Sequence, residues 1–324
     1  MSHIARDRCV SLWERAGNLA PLRVLLRFAA INGKNRMVIL ASQAFTAVVP
    51  LLLVIASLAR GDRRRRCRRR GAGASAAAHP QRMSQRPQSR VRIVSMARLL
   101  LVVATLVVVN VVDDRVARAS LLLGPVAAAW LLLVARRSGL SWQDLGLGPG
   151  TWRRGGAWAG VLIAAVAVVY AAGAALPATR HAFRDSRYQF GLGQALPTAF
   201  VLIPVGTVLF EEVAFRGVLW GMVRKSHGVP AATAVSAVLF GIWHVLPSLD
   251  LAGHNQAVGD TVGKGTSGQV LSVLGTVLFT GLAGAVFCEL RRRSGSLLAS
   301  AGLHWATNGL GVLTAAAVWA WVPR

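Results

Sequence analysis

Long stretches almost free of charge set the terms for this chain. Apolar runs of 17 to 27 residues recur at 37–59, 96–112, 119–135, 157–176, 197–223, 229–247, 269–289 and 296–322. Runs of roughly 20 such residues are what a helix needs to cross a bilayer core. Inside lipid every backbone N–H and C=O must be satisfied within the segment or by its neighbours, so only helices and closed barrels span. The runs lack the period-two alternation of barrel strands, and alanine, glycine, valine and leucine dominate them, as close helix packing in lipid requires. The expectation is an all-α, polytopic transmembrane bundle of about eight hydrophobic helices. Composition agrees: 54% of the 324 residues are hydrophobic, 15% are charged and the mean hydropathy is +0.50. That excludes an ordinary soluble domain, a disordered tail protein and a collagen-like rod. Cys9, Cys67 and Cys288 are widely separated, so neither a disulfide framework nor a thiolate zinc site is indicated.

The net charge of +25 comes from arginines gathered between the runs. Basic residues flanking spans are retained on the cytoplasmic side. Arg136, Arg137, Arg153 and Arg154 mark one inside loop, Arg224 and Lys225 a second, and Arg291, Arg292 and Arg293 a third. The connection at 248–268 reads as external. The segment with Arg180, Arg184 and Arg187 fits poorly, because alternation places it outside.

Three regions follow. Residues 1–60 form a basic segment with one hydrophobic helix, residues 61–95 an arginine-rich linker expected to be disordered, and residues 96–324 the working unit. The run at Arg63 to Arg70 lacks interleaved aromatics and reads as a solvated or headgroup-bound linker, with no specific nucleic-acid partner. Residues 37–58 resemble the first membrane segment of the YihY-like bacterial membrane proteins, which makes the N-terminal segment a candidate fused remnant.

Ionisable groups inside a membrane helix cost several kcal/mol unless paired or functional. Of the twelve acidic residues only Glu211 and Glu212 fall within the body of a run, in Leu209-Phe210-Glu211-Glu212-Val213-Ala214-Phe215-Arg216. Glu212 and Arg216 are four apart and share a helix face; Glu211 points about 100° away. One carboxylate is placed for neutralisation, the other for proton transfer. The next run carries Phe240 and His244, the last His304 and Asn308, each pair again four apart. Counted from the inferred cytoplasmic ends at about 1.5 Å per residue, these groups reach comparable depth, so they can meet in one cavity open to the cytoplasm. His3, His79, His181, His227 and His254 lie outside the runs and read as solvated; Asp113 and Asp114 read as caps or water-facing residues, Cys288 as packing, and Trp243 and Trp305 as core or cavity lining.

The ordered set Glu211-Glu212-x-x-x-Arg216, Phe240-x-x-x-His244 and His304-x-x-x-Asn308 resembles the CPBP family of intramembrane proteases, which includes CAAX prenyl endopeptidases and bacteriocin-processing or self-immunity proteins. Trp142-Gln143-Asp144-Leu145-Gly146-Leu147 resembles a segment that precedes the family's core helices. The resemblance spans roughly 97–322. It implies a multi-pass protein of the bacterial inner membrane that hydrolyses a peptide bond of a peptide or protein substrate in or near the bilayer. Glu211 and His244 would activate water, His304 and Asn308 would stabilise the oxyanion, and Glu212 and Arg216 would order the site. Two mechanisms stay open: a divalent metal such as zinc held by Glu211, His244 and His304, or a metal-independent glutamate protease. A non-catalytic immunity or scaffold protein using the same fold, and a proton-coupled transporter, are the alternatives; the lack of recognisable inverted repeats speaks against the transporter.

Overall fold

A computed structural model describes residues 88–115 and 120–321. The N-terminal segment, most of the arginine-rich linker and the 37–59 run lie outside these residues. Among the described residues the fold is helical, and the only β-type pairing is an isolated bridge between Asp185 and Asn255. Seven long helices form it: α1 Gln88–Arg115, α2 Ser120–Arg137, α3 Trp152–Ala175, α4 over 192–227, α5 over 229–243, α6 Thr266–Ser294 and α7 over 297–321. Three helical stretches, Trp142–Ala175, Leu192–Trp243 and Thr266–Ser294, are long and apolar enough to cross a membrane by length and composition. Among the described residues these three stretches hold all or most of four of the expected runs, 157–176, 197–223, 229–247 and 269–289.

The 52-residue stretch Leu192–Trp243 contains two rods. The chain reverses at Gly228, whose φ of 81° suits glycine best, and Pro230 follows, able to start a helix without an N–H to satisfy. The rods run antiparallel: Trp220 Nε1 donates to Thr233 Oγ1 at 3.3 Å, and Ser236 Oγ donates to the Phe215 carbonyl at 3.0 Å. α5 stops at Trp243 rather than near 247, because Pro247 cannot continue a helix and biases the residue before it away from helical geometry. His244 therefore caps the helix instead of sitting within it.

Small residues set the distances between helices. A Cβ on Gly241 of α5 would lie 2.6 Å from the Val277 carbonyl of α6, and one on Gly284 of α6 would lie 3.2 Å from the Ala237 Cα. Gly124 of α2 meets the backbone of Gly206 in α4 in the same way, and Gly302 of α7 meets Ala159 of α3. Such contacts let backbones approach where lipid offers no hydrophobic drive for association. The outward surface is apolar: Leu122 is 80% exposed, Val168 70% and Leu278 66%, as suits side chains that face lipid tails.

The three expected inside loops converge at one end of the bundle. Ser141 and Asp144 close a capping box on the short helix Trp142–Leu145. Arg224 pairs with Asp144 at 2.6 Å, Lys225 Nζ donates to the Gly139 carbonyl at 2.8 Å, and Arg291 Nη2 donates to the carbonyls of Gln143 and Asp144 at 3.1 and 3.0 Å. Arg291 is 3% exposed and adds a donor to the Gln143 carbonyl, which also accepts from the Gly146 N–H, and to the Asp144 carbonyl at the helix C-terminus. At the other end Trp319 Nε1 donates to the Asp185 carbonyl at 3.0 Å. The arginines that fitted the charge rule poorly are occupied there: Arg187 forks onto Asp185, Arg180 lies over Trp321 and Arg184 over Trp319.

Candidate active site

The site is built on the middle of α4, which departs from regular α-helix. Residues Thr198–Val208 and Glu212–Leu219 form wide π-type turns, as do Ala306–Leu310 of α7. Pro197 and Pro204 carry no N–H for a regular ladder, which accounts for the first of these. Such turns are uncommon and concentrate at functional positions.

Glu211, Glu212, Arg216 and His304 come together, at 5%, 2%, 0% and 3% exposure. Glu212 Oε1 lies 3.2 Å from Arg216 Nη1 and 2.9 Å from His304 Nδ1. The i,i+4 pair expected from the sequence is formed. A carboxylate accepts only, so Nδ1 carries the proton in this contact, which fixes the ring and leaves Nε2 for the other side. Nε2 lies 3.6 Å from Glu211 Oε2, too far for a direct hydrogen bond. Glu211 Oε1 accepts from Trp243 Nε1 at 2.9 Å, while Oε2 is buried with no hydrogen-bond partner. Glu212 Oε2 is likewise buried without a hydrogen-bond partner, so the two adjacent carboxylates differ in what holds Oε1: arginine and imidazole on Glu212, an indole N–H on Glu211.

Aromatic rings carry the cation. The Arg216 guanidinium sits 3.8 Å from the ring centroid of Phe240, 4.7 Å from Phe287 and 5.8 Å from Phe215. A desolvated cation over aromatic faces gains about 2 kcal/mol or more, which offsets part of the cost of burying it. Phe287 also stacks on the His304 ring at 5.2 Å and 27°. In the sequence Phe287 is one more apolar residue of α6, with no spacing that ties it to the acidic pair.

His244 makes no hydrogen bond to this cluster but shares the Phe240 ring with His304 and Arg216. Its Nδ1 is 2.8 Å from the Phe240 carbonyl, and its ring meets the Phe240 ring at 4.6 Å. Asn308 is exposed, and its side chain makes no hydrogen bond to the acidic pair. Among the described residues no three His, Cys, Asp or Glu side chains are grouped to hold a metal ion. Glu211, His244 and His304 are not grouped as a ligand set, although each imidazole is held through Nδ1, by Glu212 or by the Phe240 carbonyl, and keeps Nε2 uncommitted, as a ligating histidine does.

A small cavity of about 20 Å³, room for about one water, reaches Glu211, lined by Val109 and Asp113 of α1, Gly124 of α2, Gly206, Thr207 and Phe210 of α4, and Trp243 of α5. Asp113 thus belongs to the surroundings of the site, beyond the capping role expected of it. Trp243 holds Glu211, a closer involvement than lining. Cys288 is fully buried packing, and His227 and His254 are exposed, as expected.

Residues 193–310 match the family described as type II CAAX prenyl endopeptidase, Rce1-like. The match covers α4 to the wide turn of α7, and so every residue of the ordered motif set. It bears out the resemblance to the CAAX and CPBP proteases. No curated protein and no solved structure matches this chain.

Proposed function

We propose that this chain is an intramembrane endopeptidase in which Glu211 is the general base for attack of water on a peptide carbonyl. The observation that carries the reading is the arrangement of the buried cluster: Glu212, paired with Arg216, fixes His304, whose Nε2 faces Glu211 Oε2. The family match supports a protease, and the long apolar helices support a site within the bilayer of a bacterial inner membrane.

Glu211 Oε2 takes a proton from water as the water oxygen adds to the carbonyl carbon. The developing oxyanion is met by hydrogen-bond donors already in place, which cost no reorganisation at the moment of reaction. His304 Nε2, on a ring fixed by Glu212, is one such donor when protonated. Collapse of the adduct breaks the C–N bond, and the proton held by Glu211 passes to the leaving amine. Arg216 acts through Glu212 and is a positioning residue. Asn308, exposed one turn beyond His304, and His244, whose Nε2 is its uncommitted nitrogen, are proposed to contact the substrate. The mechanism runs without a bound metal, and the family's name points to a CAAX-type peptide near the membrane as the substrate class.

The test compares peptide termini of the membrane proteome between cells carrying the wild-type chain and a Glu211→Ala variant of equal abundance. Termini that vanish in the variant support the peptidase and identify its substrates. Identical termini, with a phenotype that survives the substitution, would favour a non-catalytic immunity or scaffold protein.

A further inference from the structure

We infer that α1 is part of the catalytic apparatus, with Asn110 and Trp243 serving in series as positioning residues for Glu211. The inference rests on the peptidase reading and deepens it. Asn110 lies outside the matched segment, in a helix where no sequence motif drew attention.

α5 ends at Trp243, so its last carbonyls have no intrahelical donor. Asn110 Nδ2 donates to the Trp243 carbonyl at 3.0 Å across 133 residues of sequence. Within a bilayer an unsatisfied carbonyl is costly, and this amide fixes where the end of α5 lies. The Trp243 ring is then clamped by Phe210 and Phe215, at centroid distances of 5.7 and 5.8 Å. That leaves its Nε1 aimed at Glu211 Oε1, 2.9 Å away.

The consequence is chemical. A carboxylate held at neither oxygen can rotate about its last torsion and present either one. With Oε1 held by the indole, Oε2 is the oxygen that faces His304 Nε2. A base must lie within hydrogen-bond reach of the proton it abstracts, so fixing this torsion acts on turnover more than on binding. Val109, Asp113 and Trp243 also wall the pocket that reaches Glu211, so α1 borders the reacting oxygen on one side.

The test uses the full chain in detergent or proteoliposomes with a substrate peptide identified from the terminus comparison. Trp243→Phe keeps the ring and removes the N–H. It should lower kcat about tenfold or more, the loss expected for one hydrogen bond to a charged group, with KM within about twofold. Asn110→Ala should lower kcat less. The Asn110→Ala/Trp243→Phe double variant should be no slower than Trp243→Phe alone, because Asn110 acts through the indole. Wild-type kcat in Trp243→Phe, or losses that multiply in the double variant, would overturn the inference. Glu211→Gln is measured alongside: if it is inactive while Trp243→Phe is not, the peptidase reading stands and the positioning role falls. A second readout needs no activity. The indole 1H–15N resonance of Trp243, one of ten tryptophans and assigned by its loss in Trp243→Phe, should move in both Glu211→Gln and Asn110→Ala. No movement in either would sink the relay even if Glu211 proves not to be a base.

Discussion

His304 Nδ1 stands 2.9 Å from Glu212 Oε1, a contact that joins α7 to α4 across 92 residues of sequence. It gives the two adjacent acids different partners: Glu212 holds an imidazole and a guanidinium, while Glu211 is held by the Trp243 indole. Spacing gives Glu212 its arginine; the imidazole comes only with the packing of α7 against α4.

Glu212→Gln tests that distinction. An amide presents a donor as readily as an acceptor, so the His304 ring loses the charge that selects its tautomer. The expected result is a fall in kcat of about 100-fold or more with little change in KM, by analogy with the loss of an orienting carboxylate in hydrolytic triads. Abundance and melting temperature in detergent, measured in parallel, separate this from unfolding.

Arg216 is fully buried among three phenylalanines and pairs with Glu212. Arg216→Met leaves that carboxylate without its cation and should cost about 3–5 kcal/mol of stability. Arg216→Lys keeps the charge but not the planar face that stacks on Phe240 and Phe287, and should fall between the two. Thermal unfolding followed by tryptophan fluorescence ranks the three proteins.

Gly241→Ala places a methyl 2.6 Å from the Val277 carbonyl, where backbone has little room to retreat. The strain should cost about 1–3 kcal/mol and push α5 from α6. Because Trp243 lies two residues on, turnover should fall as well. Gly156→Ala, where a Cβ meets nothing within 4 Å, is the matched control and should leave both quantities near wild type.

Chelation provides a separate check. With Glu211, His244 and His304 not grouped around one point, cleavage should survive incubation with EDTA or 1,10-phenanthroline. Loss of activity restored by added zinc would require those three side chains to rearrange into a ligand set.

At the end of the bundle away from the arginine loops, burial works against ionisation of Asp185. The hydrogen bonds and charge of Arg187 outweigh it and hold the carboxyl below the usual aspartate range. A carboxyl lowered by folding contributes stability above the unfolded value and loses it as pH falls through the folded one. The melting-temperature gap between wild type and Asp185→Asn should therefore be largest near neutral pH and close progressively below about pH 4. A gap that widens on acidification would refute the assignment.

Much of this was legible because lipid leaves the backbone few choices. Lengths of charge-free sequence placed α1 to α7, and the exceptional cost of Glu211, Glu212 and Arg216 in such a setting singled out the site. Spacing along one helix gave the Glu212 to Arg216 pair. It could not give the azimuth of one helix relative to another, which depends on close approaches such as Gly241 to Val277. Hence the sequence paired Glu211 with His244 and His304 with Asn308, whereas in the structure His304 is the imidazole beside the acidic pair, His244 Nδ1 meets the Phe240 carbonyl and Asn308 is exposed. The wide turns in α4 and α7 likewise leave no periodic trace, since one extra residue in a turn looks apolar like the rest. Trp243 was legible as a neighbour of the site but not as the donor to Glu211, because that contact exists only once Gly228 has folded α5 back along α4.

That reversal has an implication for how the chain can change over time. With no slack between the rods, Phe210 faces Trp243, Phe215 faces Ser236 and Trp220 faces Thr233 like teeth on a closed zip. The separation of 32 positions from Glu211 to Trp243 is then as binding as any motif letter. Deleting one residue in either limb would rotate the indole off the carboxylate while leaving every signature residue in place.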